Sequence, residues 1–254
     1  MAQEEGDVVT RQRIVHDKCL FVGGGFSRVL GNNFGDYSTG MNVEGGFIKR
    51  LNRVLSLGGS MMYSHFKYDP SILQKPPAPY EDPVNFFYGY DNSSNEIGSL
   101  VFLAGGNLSL ISLSGNIKIN FIPVKDNSVV SVYAFAKPFA IYSSVSSVTG
   151  RTLDYIRDLT TGDWGSPVGQ KNLSYGNDNG FSGGVLLGPG IEFFPGKKIS
   201  YFAQASYGYT FPIAFVSTRS YSQGIENLSD PRFPKKELGF TSINFAAGVS
   251  YNFD

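Results

Sequence analysis

The sequence predicts an all-β fold: an eight-stranded antiparallel up-and-down transmembrane β-barrel with short periplasmic turns and long extracellular loops. Three observations predict it. Apolar residues alternate with small polar ones over long runs, the period-2 pattern of strands with one greasy and one polar face. Short and long connections alternate along the chain, which suits an up-and-down barrel across a bilayer and not a Greek-key sandwich. The runs also exceed the roughly 5 or 6 residues of soluble strands and reach the roughly 9–11 needed to cross a bilayer with tilt.

Taken in order, the first strand, residues 19–30, is Gly-rich and gives no facial pattern. Residues 41–50 and 54–66 alternate less cleanly about the turn Leu51-Asn52-Arg53. In the next, Ile111, Leu113, Ile117, Ile119 and Phe121 oppose Ser112, Ser114, Asn116, Lys118 and Asn120. Residues 129–146 are apolar on both faces, with Ala134, Ala136 and Ala140 set against Tyr133, Phe135, Phe139 and Ile141, and Pro138 beside Lys137 predicts a bulge. Over 181–193, Phe181, Val185, Leu187, Ile191 and Phe193 oppose Ser182, Gly184, Gly188, Gly190 and Glu192. Tyr201, Ala203, Ala205, Tyr207, Tyr209, Phe211 and Ile213 share one face of the seventh strand. The last strand, from Ser242 to Phe253, alternates without exception. Odd-numbered apolar residues are therefore read as facing lipid. Pro123–Ser128 and Pro195–Lys198 are tight turns, and residues 70–104, 147–180 and 217–239 are long loops.

Composition narrows the chemistry. Of 254 residues only 17% are charged, below the roughly 25% of a soluble domain. Lys+Arg and Asp+Glu number 21 each, so no basic field speaks for nucleic acid. One cysteine, Cys19, and two histidines, His16 and His65, leave no material for an internal disulfide or a Cys/His metal centre, and no cofactor is expected. Mean hydropathy is −0.10 and no run approaches the ~20 apolar residues of a membrane helix. Residues 1–18 have neither the basic nor the apolar region of a signal peptide and are expected to form a periplasmic tail of a mature chain whose signal peptide has been removed, ahead of a barrel domain at 19–254.

The ending A-A-G-V-S-Y-N-F-D resembles the carboxy-terminal assembly signal of bacterial outer-membrane proteins, with Gly248 followed three and five residues later by Tyr251 and Phe253. Together with eight strands, the chain resembles the OmpA-like outer-membrane barrels, and its Y-N-F ending is similar to those of Bacteroidota. The resemblance implies residence in a bacterial outer membrane among lipid and lipopolysaccharide, and insertion by the barrel-assembly machinery acting on Gly248, Tyr251 and Phe253.

Inward parity collects Glu44, Asn116, Lys118, Asn120, Glu192, Gln204 and Asn244 into an expected polar network, with Glu44, Lys118 and Glu192 paired, because buried charge demands a partner. Such a network plugs a lumen of eight strands, which is just wide enough for side chains. A porin-like channel is the alternative, with Gly184, Gly188, Gly190 and Gly248 leaving room. Phe47, Phe121, Phe193, Tyr201, Tyr251 and Phe253 near the turns, and Tyr63, Phe139, Tyr209 and Phe211 near the loops, are expected to form interfacial belts. His65 invites comparison with lipid A-modifying enzymes that pair Ser and His, but adjacent Ser64 points to the opposite face. The Gly-rich segment 23–31 opens no helix and is no phosphate cradle. Asp91, Asn92, Asn95, Glu96 and Asp178 lack EF-hand spacing and read as solvated loop polarity, and Arg11, Arg13 and Lys18 as ordinary tail cations. The expected function is a non-catalytic structural or accessory subunit of an outer-membrane complex, contacting a protein partner through loops 70–104, 147–180 and 217–239.

Overall fold

The computed structural model describes residues 16–30, 37, 39–68, 85–90, 96–157, 160–161, 164–175, 177–216 and 235–254. Its strands are β1 (Lys18–Leu30), β2 (Thr39–Arg50), β3 (Leu55–Phe66), β4 (Asn85–Tyr90), β5 (Glu96–Gly105) and β6 (Leu108–Asn120), then β7 (Val130–Val145), β8 (Val148–Arg157), β9 (Trp164–Tyr175), β10 (Asp178–Phe193), β11 (Ile199–Val216) and β12 (Lys235–Phe253). Eight of them close a barrel in the order β1-β12-β11-β10-β7-β6-β3-β2, every pair antiparallel. Closure runs from Lys18↔Phe253 to Leu30↔Thr241. Among the described residues no helix is long and apolar enough to cross a membrane.

The sequence pattern becomes two barrel surfaces. Outside stand Met41, Met61, Leu113, Phe181 and Leu187, each more than half exposed. Inside lie Ser60, Ser64, Ser112, Asn116, Ser206 and Ser250, all buried. An apolar exterior on a closed sheet is the arrangement a bilayer requires, since a closed sheet leaves no strand edge without a partner.

At one end the turns are short. Asn52 Oδ1 accepts hydrogen bonds from the backbone N–H groups of Val54 at 2.8 Å and Leu55 at 2.7 Å, closing the β2–β3 turn. Phe194 takes a positive φ of 57° in the β10–β11 turn. A Cβ on Gly196 would lie 2.4 Å from the carbonyl oxygen of Lys125, so the β6–β7 and β10–β11 turns pack backbone to backbone. At the same end the His16 backbone N–H, ahead of β1, donates to Asp254 Oδ1 at 3.0 Å.

Four sequence expectations need correction. Residues 70–104 and 147–180 are not only loops: they contain β4, β5, β8 and β9, which form a separate antiparallel sheet in the order β4-β5-β8-β9. Its β5–β8 pairing begins at Gly105↔Val148, just beyond Leu108↔Val145 of β6–β7. The sheet thus grows out of the wall strands, with Gly105 and Gly106 at positive φ bending the chain between β5 and β6.

The rule that odd apolar residues face lipid fails in β7. Tyr133, Phe135, Lys137, Ile141, Ser143 and Val145 are buried in the lumen, and Phe139 lies on that same inward face rather than in a belt. Both faces of this strand are apolar, so alternation cannot choose between them. Size does, because rings fill space that neighbouring glycines leave. The bulge expected at Pro138 is absent: β7 keeps one register with β10 throughout, and with β6 the pairing lapses only between Ser114↔Phe139 and Ile117↔Ala136. The irregularity lies instead in β11 between Thr210 and Ile213. Phe211 and Pro212 take it up, turning Ile213 inward, where it is buried.

Leu113 sits mid-strand and is 68% exposed. Its replacement by Arg is expected to cost about 2–4 kcal/mol in a bilayer. Urea titration of vesicle-inserted protein checks this, and a change below about 0.5 kcal/mol would mean that this face meets water.

Candidate functional site

The chemistry of the described residues concentrates in the lumen. At its loop end the filling is apolar: Phe66, Leu108 and Val145 occupy one cross-strand row and are buried, with Ile213 and Phe240 buried as well. Three of the inward glycines, Gly184, Gly190 and Gly248, are taken up by rings. A Cβ on Gly190 would meet the Tyr133 ring at 2.3 Å, one on Gly184 the Phe139 ring at 2.4 Å, and one on Gly248 the Phe202 ring at 2.6 Å. Each glycine is a recess for one ring.

Towards the turns the filling becomes charged, in two clusters. Lys137 Nζ donates to Glu44 Oε1 at 2.8 Å and Oε2 at 2.9 Å. Ser60 Oγ donates to Glu44 Oε1 at 2.6 Å, and Gln204 Nε2 reaches Oε2 at 3.5 Å. The ammonium also lies 5.0 Å from the centre of the Phe135 ring, a favourable cation–π placement. In the second cluster Glu192 Oε1 accepts from Arg50 at 3.0 Å and Ser200 at 2.9 Å, while Oε2 accepts from Lys118 Nζ. Lys118 lies 4.0 Å from the centre of the Tyr133 ring.

The structure therefore brings Glu44 with Gln204, and Lys118 with Glu192, but divides the expected Glu44–Lys118–Glu192 network into these two clusters. Asn120 Oδ1 accepts from Ser131 at 3.3 Å, and Asn244 Nδ2 donates to Ser242 at 3.1 Å, apart from the charges. Asn116 is buried with no hydrogen-bond partner for either amide atom among the described residues. Lys137 and Arg50 were missed. Lys137 fell on the face misread as lipid-facing, and the signal that could have found it is that a lysine in the middle of a membrane strand has to point inward. Arg50 closes the alternating segment 41–50 on its inward parity but was not singled out.

On the outer surface Phe47, Phe121, Phe193, Tyr201, Tyr209, Phe211, Tyr63 and Tyr251 are all exposed. Phe253 is half-buried and stacks on Tyr251 with centroids 6.0 Å apart. Gly248 opposes Gly23 of β1 and Phe202 of β11. His65 and Ser109 are directly paired across β3 and β6, and His65 Nδ1 lies 3.1 Å from Ser109 Oγ, which also bonds Tyr63 OH at 3.2 Å. Ser109 was the partner that a search along the sequence could not supply. Arg11, Arg13, Asp91, Asn92 and Asn95, with most of residues 217–239, lie outside the described residues. Among the described residues no group of three or more His, Cys, Asp or Glu could hold a metal.

No protein-family model matches the chain, and no curated protein sequence matches it. Solved structures similar to it include Neisserial surface protein A, at 12% identity and TM-score 0.45, covering 93% of this chain and 97% of that one. The attachment invasion locus protein Ail of Yersinia pestis is similar at 13% identity and TM-score 0.39, over 93% of this chain and 99% of that one. The N-terminal β-barrel domain of Pseudomonas aeruginosa OprF is similar at 12% identity and TM-score 0.35, over 94% and 98%. Scores this low carry no function across.

The Glu44–Lys137 pair yields a sharp expectation. Lys137→Met strands a buried carboxylate and is expected to destabilise the barrel by about 3–5 kcal/mol, whereas Glu44→Met with Lys137→Met recovers most of that loss. The urea midpoint of folded-barrel mobility on unheated gels measures both. On its own geometry, closed, antiparallel, apolar outside and filled within, the chain is an eight-stranded transmembrane β-barrel.

Proposed function

We propose that the chain is a bacterial outer-membrane barrel of the Bacteroidota type that acts as a non-catalytic structural or accessory subunit, engaging a protein partner through its extracellular end. One observation carries the reading: the chain fills its lumen with paired charges and rings, yet builds a four-stranded sheet from the connections at the opposite end from its turns. A filled lumen favours a plug over a porin, and folded loops on a rigid scaffold are where binding surfaces are carried. In this reading Gly248, Tyr251 and Phe253 serve insertion by the assembly machinery, and the exposed rings at the strand ends set depth among lipid and lipopolysaccharide.

A second reading has one observation in its favour, the His65–Ser109 pair on the outer rim. A nucleophile within reach of a base is the first need of a lipid hydrolase. Among the described residues no carboxylate is bonded to the other ring nitrogen of His65, and the serine oxygen is shared with Tyr63, so the pair serves better as an interfacial polar clasp. His65→Ala is expected to leave the lipid A acylation profile by mass spectrometry unchanged; an altered profile would make the enzyme reading the stronger one.

Mild-detergent extraction from native membranes, through an affinity tag in the β1–β2 connection, is expected to recover a stoichiometric outer-membrane partner. Recovery as a lone monomer sinks the subunit reading.

A further inference from the structure

We propose that the lumen holds a site for one small monovalent anion of halide size, between Arg50, Ser56, Asn116 and Lys118. The site is built by register. Arg50 opposes Ser56 and Ser56 opposes Lys118, giving one inward row across β2, β3 and β6. In the next row Asn116, opposite Gly58, is buried beside it. Arg50, Ser56, Asn116 and Lys118 line a cavity of about 40 Å³ in the lumen. A water needs roughly 10–15 Å³ measured in this way, so the space suits a halide with an accompanying water and is too small for a bulky organic anion.

Charge decides what enters. Arg50, Lys118 and Lys137 line the cavity against one carboxylate, Glu192. Lys137 is neutralised from behind by both oxygens of Glu44. Arg50 and Lys118 must share Glu192, one oxygen each. Among the described residues one positive charge is left without a counter-charge, and burying an unbalanced charge is costly. A cation is repelled and water alone leaves the imbalance in place, whereas a monovalent anion cancels it.

The second, independent observation is a set of orphaned polar atoms on two of the residues that line this space. Asn116 is 4% exposed, yet neither Nδ2 nor Oδ1 has a partner among the described residues, and Ser56 Oγ has none either. Buried amides and hydroxyls are nearly always satisfied. An anion here accepts from Asn116 Nδ2, Ser56 Oγ and the free N–H groups of Lys118, and the accompanying water donates to Asn116 Oδ1.

Crystals of the full chain grown in bromide test this directly. An anomalous peak within hydrogen-bonding distance of Asn116 Nδ2 and Lys118 Nζ is expected, and water alone at that position overturns the proposal. In detergent solution, chloride is expected to raise the thermal midpoint by a few degrees over gluconate at equal ionic strength. Lys118→Met, which leaves Arg50 to balance Glu192, is expected to abolish that difference. A chloride response of undiminished size in this variant places the effect elsewhere and overturns the site.

Discussion

The bilayer offers no hydrogen-bond partner to a peptide group, and that one constraint governs the rest of the molecule. A sheet in that environment can have no free edge, so the closing pair β1–β12 is the interaction on which the other seven depend. It is long, thirteen residue pairs from Lys18↔Phe253 to Leu30↔Thr241, and it explains why a Gly-rich strand is tolerated there. Val22 and Phe26 meet lipid on one side of β1, while Gly23 on the other gives space to the Phe202 ring.

Closure of so few strands creates the second problem, a narrow interior that must be filled without leaving charge unpaired. The chain solves it by layers. The apolar Phe66–Leu108–Val145 row occupies the loop end, and carboxylates clasped by lysine and arginine occupy the turn end, among rings set into glycine recesses. Lys118 and Lys137 also lie against aromatic faces, so packing and electrostatics fix the same rotamers. Such a core specifies a single arrangement more strictly than an apolar one would, because any shift leaves a charge bare.

Much of the wall was legible in the sequence because period-2 alternation reports directly which face a strand buries. Six strands display it well enough to place Glu44, Lys118, Glu192 and Gln204 inside before any contact is known. Legibility failed where alternation carries no contrast. β1 has too few side chains and β7 has apolar residues on both faces, and in β7 the failure hid Lys137, the partner of Glu44. It failed again where a local irregularity resets parity, as at Phe211 and Pro212. Pairings were less legible than positions. Whether Glu44 meets Lys118 or Lys137 depends on the stagger between strands β2, β6 and β7, and His65 finds Ser109 only through the β3–β6 register. The outer sheet was missed because β4 and β9 mix Pro, Gly and amides with their apolar residues, a composition that reads as loop.

The seam between β1 and β12 also orders events in time. Its partners are 235 residues apart at Lys18↔Phe253, so the contact that completes the wall is nearly the most distant the chain can make, while hairpins such as β2–β3 close over four residues, 51–54. Contacts between remote segments form slowly. Until this one forms, the barrel is an open sheet with two unsatisfied edges, each able to accept a foreign strand. A chain of this design therefore spends its most vulnerable interval at the last step of its own construction, until the β1–β12 register is complete.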